Sequence, residues 1–167
     1  MRKIKETFTS NIKFIHIGKC GGTSVNGFDK NIFNEYHMTR NYKQNEQYII
    51  WIRNPLKRFV SAFYMSYNII NLDTTKLDIN NLNINNCIAP MSVRSKIKNG
   101  NAFSKRYEYL INYFKNPNKL AESLTSKNEN DKTLAIELMN NTNEHIYKGI
   151  GWYLYNGDFV KNNYNNI

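Results

Sequence analysis

The sequence predicts an α/β fold, with a central parallel sheet flanked by helices and a helical C-terminal half. Three observations carry this expectation. First, Lys13–Ile17 (KFIHI) and Tyr48–Ile52 (YIIWI) are short apolar runs, rich in β-branched and aromatic residues. Buried parallel strands have that composition. Second, each run is followed by loop residues and then by signals for a helix start. Third, later segments show helical spacing rather than alternation. Repeated strand–loop–helix units build parallel sheets, and open sheets of this class bind ligands at the carboxyl ends of their strands.

The elements follow in order. Lys13–Ile17 is the first strand, broken by Gly18–Gly22 (GKCGG). Thr23 and Ser24 then open a helix reaching about Asp29 or Phe33. Tyr48–Ile52 is the second strand. Pro55 suits the first position of the next helix, with Asn54 as its cap. That helix runs to about Tyr67, with Phe59, Ala62, Phe63 and Ser66 along one side. Residues 69–86 are Asn-rich and read as a long loop or lid. Helices are expected over about Ser92–Lys98, Ser104–Phe114, Asp131–Asn140 and Ile146–Phe159, the last loosened by its glycines. Lys161–Ile167 should fray, and Trp51 and Trp152 should lie in the core.

The chain has 167 residues, 41% hydrophobic and 14% aromatic, which suits a single domain with a real core. Residues of about 13–68 would form its first part and about 90–160 its helical remainder. The net charge of +10 suits a polyanionic partner or a solvated basic surface, and charge alone does not choose. The two cysteines, Cys20 and Cys87, form no CxxC pair, which argues against a zinc knuckle, a redox dithiol or a disulfide framework. Met1–Ile12 lacks the apolar stretch of a signal peptide. No run of about 18 apolar residues exists to span a membrane. A cytoplasmic or otherwise soluble setting is the expectation.

Two loops carry the chemistry. In the first, Lys19, Cys20, Gly21, Gly22, Thr23 and Ser24 join a strand to a helix. Glycines let backbone approach an anion, free N–H groups at the helix start point toward it, and Lys19 adds a full charge. This is not a Walker A loop, because Lys19 precedes the glycine pair instead of following the last glycine. In the second, WIRNPLKRFVSAFY, Arg53 sits just past the strand and Ser61 lies within the following helix. A guanidinium fork suits a phosphate, and the hydroxyl adds a donor. Read blandly, Lys57 and Arg58 are solvated helix charges.

FIHIGKCGGTSV resembles the 5′-phosphosulfate loop of sulfotransferases, in particular the Golgi-type and bacterial family-2 enzymes. Position 18 is Gly where that family usually has Pro. WIRNPLKRFVS resembles their 3′-phosphate motif. The resemblance covers about Phe14–Tyr67, with a looser match at HIYKGIGWYL. It implies a P-loop-like three-layer fold. It also implies that the chain binds 3′-phosphoadenosine 5′-phosphosulfate (PAPS) and moves its sulfuryl group to a hydroxyl acceptor by in-line transfer, without a metal. Lys19 would stabilise the leaving 5′-phosphate, Arg53 and Ser61 would hold the 3′-phosphate, and Arg58 would be mainly structural.

A base must take the acceptor's proton, and histidine titrates near neutrality. His37, in EYHMTRNY, is the candidate, because similar enzymes carry His-x-Thr there; Glu35 is the runner-up. His16 reads as a core strand residue and His145 as a cap or surface group. Cys20 reads as packing, although the neighbouring Lys19 would favour its thiolate. Arg94, Lys96, Lys98, Lys105 and Arg106 read as a solvated face that an anionic glycan acceptor would suit. Family members often carry a further strand and a Gly-Arg-x-Glu segment that this sequence lacks, which implies a minimal or truncated domain. The alternatives are a PAPS-binding domain without turnover, a nucleotide kinase and a basic nucleic-acid binder. The kinase lacks a Gly-Lys-Ser/Thr sequence and a magnesium-holding acidic motif. The nucleic-acid binder leaves the two loops unexplained.

Overall fold

A short run of β-branched and aromatic residues gains most when it pairs, and both apolar runs do. In the computed structural model, which describes residues 12–21, 34–36, 46–74, 96, 97, 99, 100, 102–142 and 144–167, β1 spans Ile12–Ile15, β2 Asn34–Tyr36 and β3 Gln47–Ile50. They form one sheet in the order β2-β1-β3, and both pairings are parallel. Ile15 lies opposite Tyr36 on one side and Ile50 on the other, so the three strands end in line. Both expected strands end two residues early, and β2 went unpredicted: Asn34-Glu35-Tyr36 has no apolar run to announce it.

The chain forms two compact units, Met1–Asn54 with Ile150–Ile167, and Pro55–Gly149. In the first, the C-terminal segment supplies α5 (Ile150–Tyr153), a 3₁₀ turn (Tyr155–Gly157), α6 (Asp158–Asn163) and a final 3₁₀ turn (Tyr164–Asn166). The continuous helix expected over Ile146–Phe159 is broken because Tyr155 and Asn156 adopt left-handed backbone, φ 50° and 55°. The expected fraying at the end is replaced by helical turns. Tyr153, Leu154 and Phe159 bury themselves with Ile15, Ile17, Cys20 and Tyr48. The Tyr48 and Phe159 rings meet edge to face, 5.1 Å between centroids. Beneath the same strand, buried Glu46 accepts from the Tyr48 hydroxyl at 3.0 Å and faces Lys13 at 3.8 Å.

The second unit is helical: α1 (Pro55–Ile70), α2 (Lys105–Phe114), α3 (Pro117–Ser123) and α4 (Glu129–Met139). Side-chain caps fix the starts of α2 to α4. Ser104 accepts from the Tyr107 N–H at 3.2 Å, and Asn116 from that of Lys119 at 2.9 Å. Asn128 accepts from Asn130 at 3.0 Å and Asp131 at 3.3 Å. Such caps are worth about 1 kcal/mol each. Helix α1 buries Ala62, Phe63, Ser66 and Ile69, a helical stripe, against Tyr107, Leu110, Ile111, Phe114 and Leu138. It outlasts its expected end at Tyr67 by three residues, and Lys96 donates to the carbonyls of Ile69 (2.6 Å) and Ile70. Lys96 thus caps α1 instead of belonging to a solvated face. Of the expected loop over residues 69–86 and helix over Ser92–Lys98, residues 75–95 and 98 lie outside the described residues; Ile69 and Ile70 belong to α1 instead of the loop, and Lys96 and Ile97 are helical. Among those described, the fold is mixed and mostly helical, with one small parallel sheet and no helix long and apolar enough to cross a membrane.

Candidate anion-binding edge

Parallel strands that end in register send their following loops to the same edge, about 4.8 Å apart per strand. From the line Ile15–Tyr36–Ile50, the chain continues to Lys19 after β1, His37 after β2 and Arg53 after β3. His37 itself lies outside the described residues, as do Gly22, Thr23 and Ser24 of the first loop and Arg94 and Lys98. Glu35 is one residue inside β2, opposite Phe14, rather than past its end.

The first loop opens as a tight turn. The Cys20 N–H donates to the Ile17 carbonyl at 3.1 Å. Lys19 takes the third position of that turn with φ 66°, where a type II turn favours Gly or Asn. A non-glycine residue in this region costs about 1–2 kcal/mol, so the backbone is strained at the loop's one lysine. Gly18 holds the second position, a common site for Pro in such turns. Gly21 follows with φ 92°. A Cβ there would meet open space, so the backbone angle, not crowding, calls for glycine. The Lys19 side chain is half-buried, Gly21 is exposed, and the Cys20 thiol is buried with Ile17 and Tyr48, in keeping with a packing role.

In the second loop, all residues from Trp51 to Asn54 are exposed. Arg53 makes no hydrogen bond, ion pair or ring contact among the described residues, which leaves its five N–H donors for a ligand. Trp51 was expected in the core but is 56% exposed, and Ile52 is 64% exposed. The strand ends at Ile50, so the sheet no longer dictates their burial. Trp152 does pack with the first unit's core, edge-on to Tyr153 at 5.0 Å. His16 follows β1 rather than lying within it; it is half-buried and stacks on Phe14 at 6.1 Å.

In the second unit, Ser61 is half-buried on α1 and has no hydrogen-bond partner among the described residues. Ser66, one turn later, is fully buried and shares a 2.9 Å hydrogen bond with the Tyr107 hydroxyl, whose pKa burial pushes far above the ordinary phenol value. Arg58 departs from its expected solvated state. It is 4% exposed and donates to the carbonyls of Lys148 and, at 3.4 Å, His145. Its Nε is buried and makes no hydrogen bond among the described residues, while Nη2 of the same guanidinium is engaged. Helical phase is the sequence signal that separates Arg58 from exposed Lys57, because Arg58 shares the i, i+4, i+8 stripe of Ala62 and Ser66. Arg106 is exposed as expected but already occupied. Its guanidinium meets Glu137 at 2.5 and 2.6 Å, holding that carboxyl below its usual range, and lies over Tyr109 at 5.2 Å.

The comparisons with known proteins add no relative. No family model, curated protein or solved structure matches the chain.

Proposed function

We propose that the chain binds PAPS and transfers its sulfuryl group to a hydroxyl-bearing acceptor, a carbohydrate being the class that the sulfotransferase resemblance implies. One observation carries the reading: in-register parallel strands lead to the glycine-turn lysine and to an arginine without a partner among the described residues, both following the same sheet edge. Two anion donors at one edge suit a ligand with two phosphates. The strain at Lys19 supports it further, since such strain persists where the surroundings enforce it and gathers at ligand-binding turns. The three-layer P-loop-like fold belongs to the same reading, as do roles for Gly22, Thr23 and Ser24.

In this reading Lys19 and the N–H groups of the first loop hold the 5′-phosphosulfate, and Arg53 holds the 3′-phosphate. The acceptor oxygen attacks sulfur in line as the bond from sulfur to the 5′-phosphate oxygen breaks. The acceptor's proton passes to His37, and Lys19 neutralises the charge gained by the departing phosphate. Positioning and electrostatics supply the catalysis, as in phosphoryl transfer. His37 is preferred to Glu35 because it follows the end of β2, whereas Glu35 is held inside the strand.

The test is calorimetric titration with adenosine 3′,5′-bisphosphate. Wild type should bind in the micromolar range, and Arg53→Ala and Lys19→Ala should each weaken binding about tenfold or more, roughly 1.4 kcal/mol. A folded wild type that does not bind refutes the reading. Binding without sulfuryl transfer to any acceptor in a carbohydrate panel would identify a PAPS-binding domain without turnover.

A further inference from the structure

We infer that Trp51 is the platform on which the purine of the bound nucleotide stacks, an inference that rests on the nucleotide reading above. The run Trp51–Asn54 leaves β3 at Ile50, which pairs with Ile15, so it departs beside the turn that carries Lys19. In this run an indole more than half exposed stands two residues before an arginine with no partner among the described residues. Two residues of chain span at most about 7 Å. That is the scale of the ribose separating a base from its 3′-phosphate. An exposed indole is a large apolar surface left in water, and a planar base is the part of a nucleotide that would cover it. Stacking on an aromatic face is worth about 1–3 kcal/mol per base and needs no hydrogen-bond readout.

Among the described aromatic rings of the first unit, only Trp51 lies in the run that leaves β3 toward Arg53; Tyr164, 77% exposed, belongs to the final 3₁₀ turn. Trp152 is engaged with Tyr153 in the core, and the Tyr48 ring is buried against Phe159. His16 already stacks on Phe14. Because the sequence holds two tryptophans, replacing Trp152 leaves Trp51 as the lone indole reporter.

The experiment combines fluorescence with calorimetry on the full chain. In Trp152→Phe, saturation with adenosine 3′,5′-bisphosphate should quench the Trp51 emission. Trp51→Ala should weaken that ligand about tenfold and erase any preference for it over uridine 3′,5′-bisphosphate, whereas Trp51→Phe should keep most of the affinity. If Trp51→Ala binds as tightly as wild type and the Trp51 emission does not move, the platform is refuted and the nucleotide site stands. If wild type binds neither nucleotide, both readings fall together.

Discussion

Arg53 and Arg58 lie five residues apart, and their environments predict opposite phenotypes. Arg58 is 4% exposed and holds the carbonyls of His145 and Lys148 against α1. Truncation to alanine leaves both acceptors without this donor, at about 1–3 kcal/mol each, and removes the packing of the aliphatic stem. It also removes the buried Nε, which makes no hydrogen bond among the described residues, and this returns part of that cost. The net loss should be about 2–4 kcal/mol, a large share of the roughly 5–15 kcal/mol of an ordinary domain. Arg53 is exposed and makes no hydrogen bond, ion pair or ring contact among the described residues, so Arg53→Ala should change stability by no more than about 0.5 kcal/mol. Urea unfolding followed by far-UV circular dichroism reads both, because the helices of the second unit dominate that signal. Nucleotide titration of the same samples should show the reverse pattern, with Arg53→Ala defective. An Arg58→Ala midpoint within error of wild type would refute the buried assignment. An Arg53→Ala variant that unfolds early would show that Arg53 serves the fold.

Two further perturbations probe the second unit. Ser66→Ala should cost about 1–2 kcal/mol by leaving the buried Tyr107 hydroxyl unpaired, and Ser66→Ala with Tyr107→Phe should cost less than the sum of the two single changes; a strictly additive cycle would refute the coupling. Burial raises the Glu144 pKa, with the nearby Lys148 charge opposing it. A raised carboxyl favours the folded state at low pH and loses that contribution as pH rises through its folded value. Glu144→Gln should therefore raise the thermal midpoint at neutral pH relative to wild type, with the gain fading below the ordinary carboxylate range. A gain confined to acid pH would contradict it.

Much of the backbone was legible because local chemistry decides it. Apolar β-branched runs paired as parallel strands, and Ser104 marked the start of α2 as a cap should. The Pro117–Ser123 helix was missed although Asn116 and Pro117 are a cap and a first-turn proline; its brevity left no periodic stripe to detect. β2 was illegible because a strand paired to a strong neighbour needs little β propensity of its own. For the candidate site, the residue types could be read, but their surroundings could not. Trp51 and Arg58 exchanged their expected places, the indole outward and the guanidinium inward. Exposure depends on which elements stop where, and β3 stops one residue before the indole.

The discontinuity of the first unit has a consequence for biogenesis. Its hydrophobic cluster needs Tyr153, Leu154 and Phe159, which are made only after the whole of the second unit, itself one uninterrupted stretch. Domains fold as units during synthesis, N-terminal parts first, but here that order is inverted. The helices from Pro55 onward are complete on the nascent chain while β1 and β3 still wait for their covering residues. Until then the apolar strands present an incompletely covered surface, the state in which chaperones would engage them.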